Sequence, residues 1–332
     1  MQAVVLVGGL GTRLRPLTHT TPKQMLPVAN RPMIERVLEH LAEHGVTRAV
    51  LALAYRPDAF RDAYPSGHCA GIELHYAVEP EPRDTAGAIR FAALDAGIDE
   101  RFLVLNGDVL TDLDIGELVA THERAGAEGT LALHRVEDPS AFGVVPTDPD
   151  GRVTAFIEKP PRDAAPTDLI NAGTYVLEPS VLDRIASDVP VNVERVTFPA
   201  MVADGTLFAM DGDVYWIDAG TPATFLTANL DLLNGRRGRV EPGVHPDAQV
   251  DGAVVESVVG AGVHVAEGAI VSGSVLFHGA HIGPGALVRD AIIGAGAHVG
   301  AGALVDDGTV VGDAVVIPDD AQLSGVRIPE EG

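Results

Sequence analysis

The sequence predicts an α/β domain built on a mostly parallel sheet with helices on both faces, followed by a parallel β-helix. Three observations predict this. Short apolar strands alternate with amphipathic helices up to about residue 233. A polar, Gly/Pro-rich stretch, Asn234–Gly243, interrupts the alternation. Beyond it aliphatic residues recur every six positions, and Phe277 is the only Phe, Tyr or Trp. At 332 residues the chain exceeds the usual single-domain size, and at 46% hydrophobic it can bury two cores. These readings divide the chain at 1–235 and 236–332.

The first strand is Ala3–Val7, short, β-branched and apolar throughout. GGLGTRLRPL, Gly8–Leu17, cannot continue it. Gly8, Gly9 and Gly11 let the backbone approach a ligand, Thr12 adds a hydroxyl, and Arg13 and Arg15 add fixed positive charge. That combination suits phosphate. Its spacing is neither G-x-x-x-x-G-K-[ST] nor G-x-G-x-x-G. From the glycines alone, an ordinary strand-to-helix turn is an equally good reading.

Met33–His44 is an amphipathic helix that Gly45 ends. Ala49–Ala54 and Glu73–Val78 read as strands, and Thr85–Ala96 as a helix. Phe102–Leu105 is a buried strand running into Asn106-Gly107-Asp108. Thr130–Val136, Gly143–Pro146 and Val153–Glu158 complete the strands. Ligands of parallel α/β sheets sit beyond the carboxyl ends of the strands, which makes the Gly8–Arg15 loop and Asp108 candidates.

In the tail Val259, Val265 and Val271 are six apart, as are Ile293, Val299, Val305, Val311 and Ile317. The steps from Val259 to Leu276, Ile293 and Val311 are 17, 17 and 18 residues. Three short strands per coil, each with an inward aliphatic residue, define a hexapeptide β-helix.

A net charge of −24 disfavours nucleic acid and anionic membranes as partners. No apolar run is long enough to span a membrane, and no signal peptide precedes the first strand, so a cytoplasmic protein is expected. Cys69, the lone cysteine, excludes a disulfide frame and a cysteine metal site and reads as an inert thiol. An acidic protein that binds phosphate must concentrate its positive charge locally. Of 23 basic residues only Lys23 and Lys159 are lysines. They are either chance survivors of an Arg-rich composition or positions in a tight site that needs a compact ammonium.

GGLGTRLRPLTHTTPKQMLPVANRPM (Gly8–Met33), LNGDV (Leu105–Val109), FGVV (Phe142–Val145), EKP (Glu158–Pro160), NAG (Asn171–Gly173) and WIDAGT (Trp216–Thr221) occur in this order. With these motifs the chain resembles the sugar-1-phosphate nucleotidyltransferases over nearly its whole length. Within that family VNVERVTFPAMVADG (Val191–Gly205), LNGDVLTD and the hexapeptide tail are most similar to the mannose-1-phosphate guanylyltransferase branch. The resemblance implies a Rossmann-like nucleotidyltransferase domain and a left-handed hexapeptide β-helix. It implies the reaction of an NTP with a sugar 1-phosphate to give an NDP-sugar and pyrophosphate. GTP with mannose 1-phosphate is the expected pair, and dTTP or UTP with a glucose or cyclitol phosphate is the alternative. A regulatory subunit that binds NDP-sugar without turnover is a third reading. It is disfavoured because Arg13, Lys23, Asp108, Lys159 and Asp218 are all present.

Residue roles follow from the same resemblance. Leu6, Gly8, Gly9, Gly11, Thr12, Arg13, Lys23, Thr85, Gly87 and Asp108 are expected at the nucleotide, with Arg13 and Lys23 on its phosphates. Gly143, Glu158, Lys159, Asn171 and Gly173 are expected at the sugar phosphate, with Lys159 on the phosphate itself; Glu194 either joins them or serves on the surface. Asp108 and Asp218, each at a strand end, are expected to hold Mg²⁺. Arg15 either assists or fixes the loop. One departure stands out: where relatives have P-L-G-T-A-G-A, this chain has Pro82-Arg83-Asp84-Thr85-Ala86-Gly87-Ala88. His245, His264, His278, His281 and His298 are read as solvent-facing rather than as the base of an acyltransferase, as found in bifunctional relatives. A homo-oligomer joined through the β-helix is expected.

Overall fold

The structure is a computed structural model and describes residues 1–187 and 189–329. Its contacts form two compact units. One comprises Met1–Gly9 and Glu35–Trp216, the other Leu10–Ile34 and Ile217–Gly332. The division by contacts therefore differs from the division by composition: the glycine-rich loop and the segment after Ile217 fold with the coil.

The first unit is a mixed α/β sheet. From one edge its strands run Ile157–Glu158, Gly143–Val144, Leu169–Leu177, Phe102–Asn106, Gln2–Leu6, Arg48–Leu53, Ile72–Val78 and His68–Cys69. The four strands Phe102–Asn106, Gln2–Leu6, Arg48–Leu53 and Ile72–Val78 are mutually parallel. Successive residues of a strand face opposite sides of the sheet. Ala3, Val4, Val5, Ala49, Val50 and Leu51 are all fully buried, so this centre is covered on both faces.

The flank was less legible. Leu169–Leu177 pairs antiparallel with Phe102–Asn106 and with Gly129–Arg135, and Leu207–Asp211 lies parallel to the latter. Neither Leu169–Leu177 nor Leu207–Asp211 was expected, because Asn171 and Gly173 interrupt the one and the other is short. The expected strand Val153–Glu158 reduces to Ile157–Glu158, with Val153 in an isolated bridge to Thr147. Thr154 instead turns back, its amide donating to the Pro146 carbonyl.

In the second unit, three five-stranded parallel sheets form the sides of the coil. The residues spaced by the repeat are direct neighbours: Val259 pairs with Leu276, Leu276 with Ile293, and Ile293 with Val311. All four are essentially fully buried. Where the sides meet, Ser257 Oγ accepts from the Ser274 amide and Ser274 Oγ from the Ala291 amide, both at 3.1 Å. The 18-residue step places its extra residue at the Asp306–Thr309 corner, where Asp307 and Gly308 both take positive φ. Thr309 stays within the corner, its hydroxyl donating to Asp306 O at 2.6 Å.

Candidate active site

The Gln2–Leu6 and Phe102–Asn106 strands end together. Leu6 is in register with Asn106, and the Gly107 amide donates to Leu6 O at 3.0 Å. From Gln2–Leu6 the chain steps outward through Arg48–Leu53 to Ile72–Val78 and then crosses back to Phe102–Asn106, so the switch point at which such sheets bind ligands lies between the Gln2–Leu6 and Phe102–Asn106 strands. Gly8 and Gly9 follow one strand there, and Asp108 follows the other in a tight turn before Val109–Thr111. Asp108 is half-buried.

A second cluster occupies the antiparallel flank of the same unit. The register between Leu169–Leu177 and Gly129–Arg135 shifts between Asn171 and Tyr175, so the NAG motif is a bulge. Gly173 takes φ +75, and a Cβ there would lie 2.5 Å from Asn106 Nδ2. Glycine is thus required both by conformation and by close approach. Asn171 is held at both ends: its Oδ1 accepts from the Gly173 amide at 3.0 Å, and its Nδ2 donates to the Tyr175 hydroxyl at 2.9 Å. Lys159 Nζ lies 3.4 Å from Glu158 Oε1, and Lys159 itself has φ +49. A Cβ on Gly143 would come 3.2 Å from Glu158 Oε2 and closer still to Phe156.

Glu194 belongs to this cluster. Burial raises its carboxyl pKa, and the negative charges of Glu158 and Asp84 raise it further, while Lys159 opposes them. Burial, reinforced by Glu194, also pushes the Tyr175 hydroxyl above its ordinary range. Glu194 sits in a π-helical turn, Val193–Thr197, a local form frequent at functional sites. Thus Gly143, Glu158, Lys159, Asn171, Gly173 and Glu194 come together. Residue reasoning missed Tyr175, Asn106 and Trp216. Trp216 donates from Nε1 to Ala172 O at 2.9 Å and stacks on His134 at 5.2 Å.

Thr85 and Gly87 pack on the segment Val191–Val193. The Thr85 hydroxyl accepts from the Val193 amide at 2.9 Å, which leaves its proton to donate. Gly87 is buried, its amide bonded to Val191 O at 3.2 Å. Of the two departing residues, Arg83 lies over the Phe91 ring, 5.2 Å from its centroid. Asp84, at φ +58, accepts from Asn192 Nδ2 at 3.1 Å.

The second unit carries Arg13, Lys23 and Asp218. Gly11, at φ +63, opens a 3₁₀ turn, Thr12–Leu14, and Thr18 Oγ1 donates to Gly11 O at 2.8 Å. A Cβ on Gly11 would lie 3.2 Å from the Lys23 Cβ, so Lys23 packs against the start of the loop that bears Arg13. A second 3₁₀ turn, Lys23–Met25, follows Pro22. Leu14, Leu17 and Leu26 are buried beneath, while Thr12 and Arg13 are exposed. Asp218 Oδ1 accepts from the Gly220 amide at 2.8 Å in a turn that leads to the Thr221 cap of helix Pro222–Leu233.

Asp108 and Asp218 offer hard carboxylate oxygens. Among the described residues, no group of three or more His, Cys, Asp or Glu is disposed to hold a metal. Each carboxylate is of the hard type that binds divalent cations together with water and substrate phosphate. The coil histidines are not simply solvent-facing. His264, His281 and His298 stack at one register position, with ring centroids 4.8 and 5.3 Å apart. His264 Nδ1 lies 3.2 Å from His281 Nδ1, and His264 Nε2 lies 3.1 Å from Asp251 Oδ2. Cys69 is half-buried at the sheet edge. No helix among the described residues is long and apolar enough to cross a membrane.

With glycines and Asp108 at the switch point of its sheet, a loop bearing Arg and Lys, and a cluster of Lys, carboxylate and amide groups, the chain belongs to the nucleotidyl transferase family, whose model matches residues 2–235. Within that family it acts as a sugar-1-phosphate nucleotidyltransferase. A second model, described as the GMPPB C-terminal domain, matches residues 241–330. The mannose-1-phosphate guanylyltransferase of Mycobacterium tuberculosis is 42% identical over 289 residues, 83% of this chain and 80% of that one. The mannose-1-phosphate guanyltransferase of Emericella nidulans is 42% identical over 255 residues, 75% of this chain and 69% of that one. Among solved structures, HddC from Yersinia pseudotuberculosis complexed with GMP-PN is similar with a TM-score of 0.60 and 28% identity. That match covers 69% of this chain and 97% of HddC.

Proposed function

We propose that the chain transfers GMP from GTP to mannose 1-phosphate, giving GDP-mannose and pyrophosphate. The observation that carries this is the run of mannose-1-phosphate guanylyltransferases at about 40% identity over most of the chain. The complete charged set in this chain supports it.

In this reading a phosphate oxygen of mannose 1-phosphate attacks the α-phosphorus of GTP in line, and the bond to the β-phosphate oxygen breaks. Arg13 and Lys23 neutralise the β- and γ-phosphates and the departing pyrophosphate. Gly8, Gly9, Gly11 and Thr12 bring backbone close to those oxygens. Leu6, Thr85 and Gly87 line the nucleoside. Lys159 holds the phosphate of the sugar, while Glu158, Glu194, Asn171 and the backbone of Gly143 and Gly173 take its hydroxyls. Asn171 is pre-aimed by Tyr175 and by the Gly173 amide. A divalent cation, which we assign as Mg²⁺ on Asp108 and Asp218, supplies charge neutralisation at the α-phosphate when bound.

We also assign self-association to the coil. Ala253, Ile270, Leu287 and Leu304 are in register on one side, while their inward neighbours Val271, Val288 and Val305 fill the core. Ala253 and Ile270 are exposed, Ile270 at 47%, and Leu287 and Leu304 are half-buried, so the outer row presents an apolar strip. The test of the function is a pyrophosphate-release screen of four NTPs against several sugar 1-phosphates. GTP with mannose 1-phosphate should give the highest kcat/KM. A higher value with dTTP or UTP, or with a glucose or cyclitol phosphate, would reassign the substrates.

A further inference from the structure

The loop that bears Arg13 and Lys23 is tethered to the coil along its length. Near its start, Pro16 abuts the coil backbone at Gly312: a Cβ there would lie 3.1 Å from Pro16 Cβ and Cγ. Arg327 Nη1 reaches Arg15 O at 3.4 Å. Between the two cations, Thr20 Oγ1 donates to Asp313 Oδ2 at 2.5 Å. Asp313 is itself fixed, because its Oδ1 accepts from the Ala295 amide one coil away at 2.9 Å. Beyond Lys23, the Ala29–Asn30 turn is anchored at the other end of the coil. Asn30 Nδ2 donates to Val259 O at 3.2 Å, and the Ala29 amide donates at 2.8 Å to Oδ1 of Asn229, buried in the helix Pro222–Leu233 that precedes the coil.

We propose that the last turns of the coil are a positioning element for nucleotide binding, in which Gly312, Asp313 and Arg327 hold Pro16, Thr20 and the Arg15 carbonyl. So held, Arg13 and Lys23 present their charges as a preformed pair. This rests on the reading that Arg13 and Lys23 take the triphosphate.

The physical argument is preorganisation. A loop of glycines, threonines and two long cations has much freedom to lose, and an untethered loop loses it at the moment of binding. A hydroxyl donating to a carboxylate is a charge-assisted bond and holds better than a neutral one. Gly312 adds a steric condition. Its φ is not in the left-handed region, so glycine there serves the close approach of Pro16, of Ile328 O at 3.2 Å and of nothing conformational. None of these coil residues is in the cluster assigned to the sugar phosphate, so the effect belongs to one substrate only.

The test uses the full chain, with Mg²⁺-GTP and inorganic pyrophosphate as calorimetric probes. Thr20→Val combined with Arg327→Gln should weaken both probes about tenfold or more, while the KM for mannose 1-phosphate stays at the wild-type value. Amides of residues 10–26 should exchange faster with solvent, and Thr20→Ser should bind as wild type does. Gly312→Ala, which keeps every hydrogen bond and presses on Pro16, should weaken the same probes and guards against a folding defect in the double variant. Unchanged probe affinity and unchanged exchange in both variants would overturn the proposal, as would an equal loss for both substrates. A wild-type protein that binds neither probe would overturn the phosphate assignment of the loop itself, a distinct result.

Discussion

Lys159 holds a backbone conformation that non-glycine residues rarely adopt, at a cost of order 1–3 kcal/mol, and such positions cluster at functional sites. Together with Lys23 it escaped an otherwise Arg-only composition. If each ammonium sits among converging phosphate oxygens, a planar guanidinium will not fit there. Lys159→Arg should therefore raise the KM for mannose 1-phosphate, and Lys23→Arg should impair GTP binding and pyrophosphate departure. Steady-state kinetics with each substrate varied in turn, alongside thermal melting, check both. Wild-type constants would refute the roles, and exchanged effects would reverse them. Asp108→Asn should lower kcat by about a hundredfold or more, through lost electrostatic stabilisation. Undiminished turnover would remove Asp108 from the site. At this scale the charged residues were legible from their motifs, but the groups that orient them were not. Tyr175 reaches Asn171 only because a bulge intervenes, and Asn106 matters through the space it denies at Gly173.

The elements were legible in proportion to their periodicity. The six-residue repeat maps onto successive sides of the coil and the 17- to 18-residue step onto its stacked neighbours, since each inward position has one possible role. The antiparallel flank carries no such repeat, and its strands are defined by pairing with distant partners rather than by their own pattern. The stacked histidines are a further property of the coil that composition did not reveal. Burial lowers the His281 pKa, and the neighbouring His264 and His298 lower it further; Asp251 pairs with His264 from the adjacent coil. A histidine with a folded pKa below its unfolded value near 6.5 takes up its proton more readily when unfolded. The contribution of His281 to stability is complete above that value and is lost as pH falls below it. Thermal melts should show the transition declining as pH drops from about 7 towards 5, less steeply in His281→Gln. An identical pH slope in the variant would exclude the ladder as the cause.

For the whole molecule, two measurements follow. Removal of divalent metal with EDTA should abolish pyrophosphate release, and Mg²⁺ should restore it; activity in a metal-free assay would contradict the assignment of Asp108 and Asp218. Static light scattering should report an oligomer, and Ile270→Asp with Leu287→Asp should reduce its mass, because charges on an apolar strip oppose association. A wild-type monomer would refute that surface. The domain layout read from composition separated the glycine-rich loop from the coil, whereas their contacts unite them. Thr20 and Asp313 are 293 residues apart, beyond the reach of any local pattern. That separation also has a meaning in time. A ribosome adds about 5–20 residues each second, so Thr20 emerges roughly 15–60 s before the carboxylate that receives its hydroxyl exists. During that interval the first segment of the chain waits without its template, and a nascent or prematurely terminated product lacks the tethers of the loop that bears Arg13 and Lys23. Under the proposal above, full affinity for the nucleotide waits on synthesis of the coil turns that carry Asp313 and Arg327.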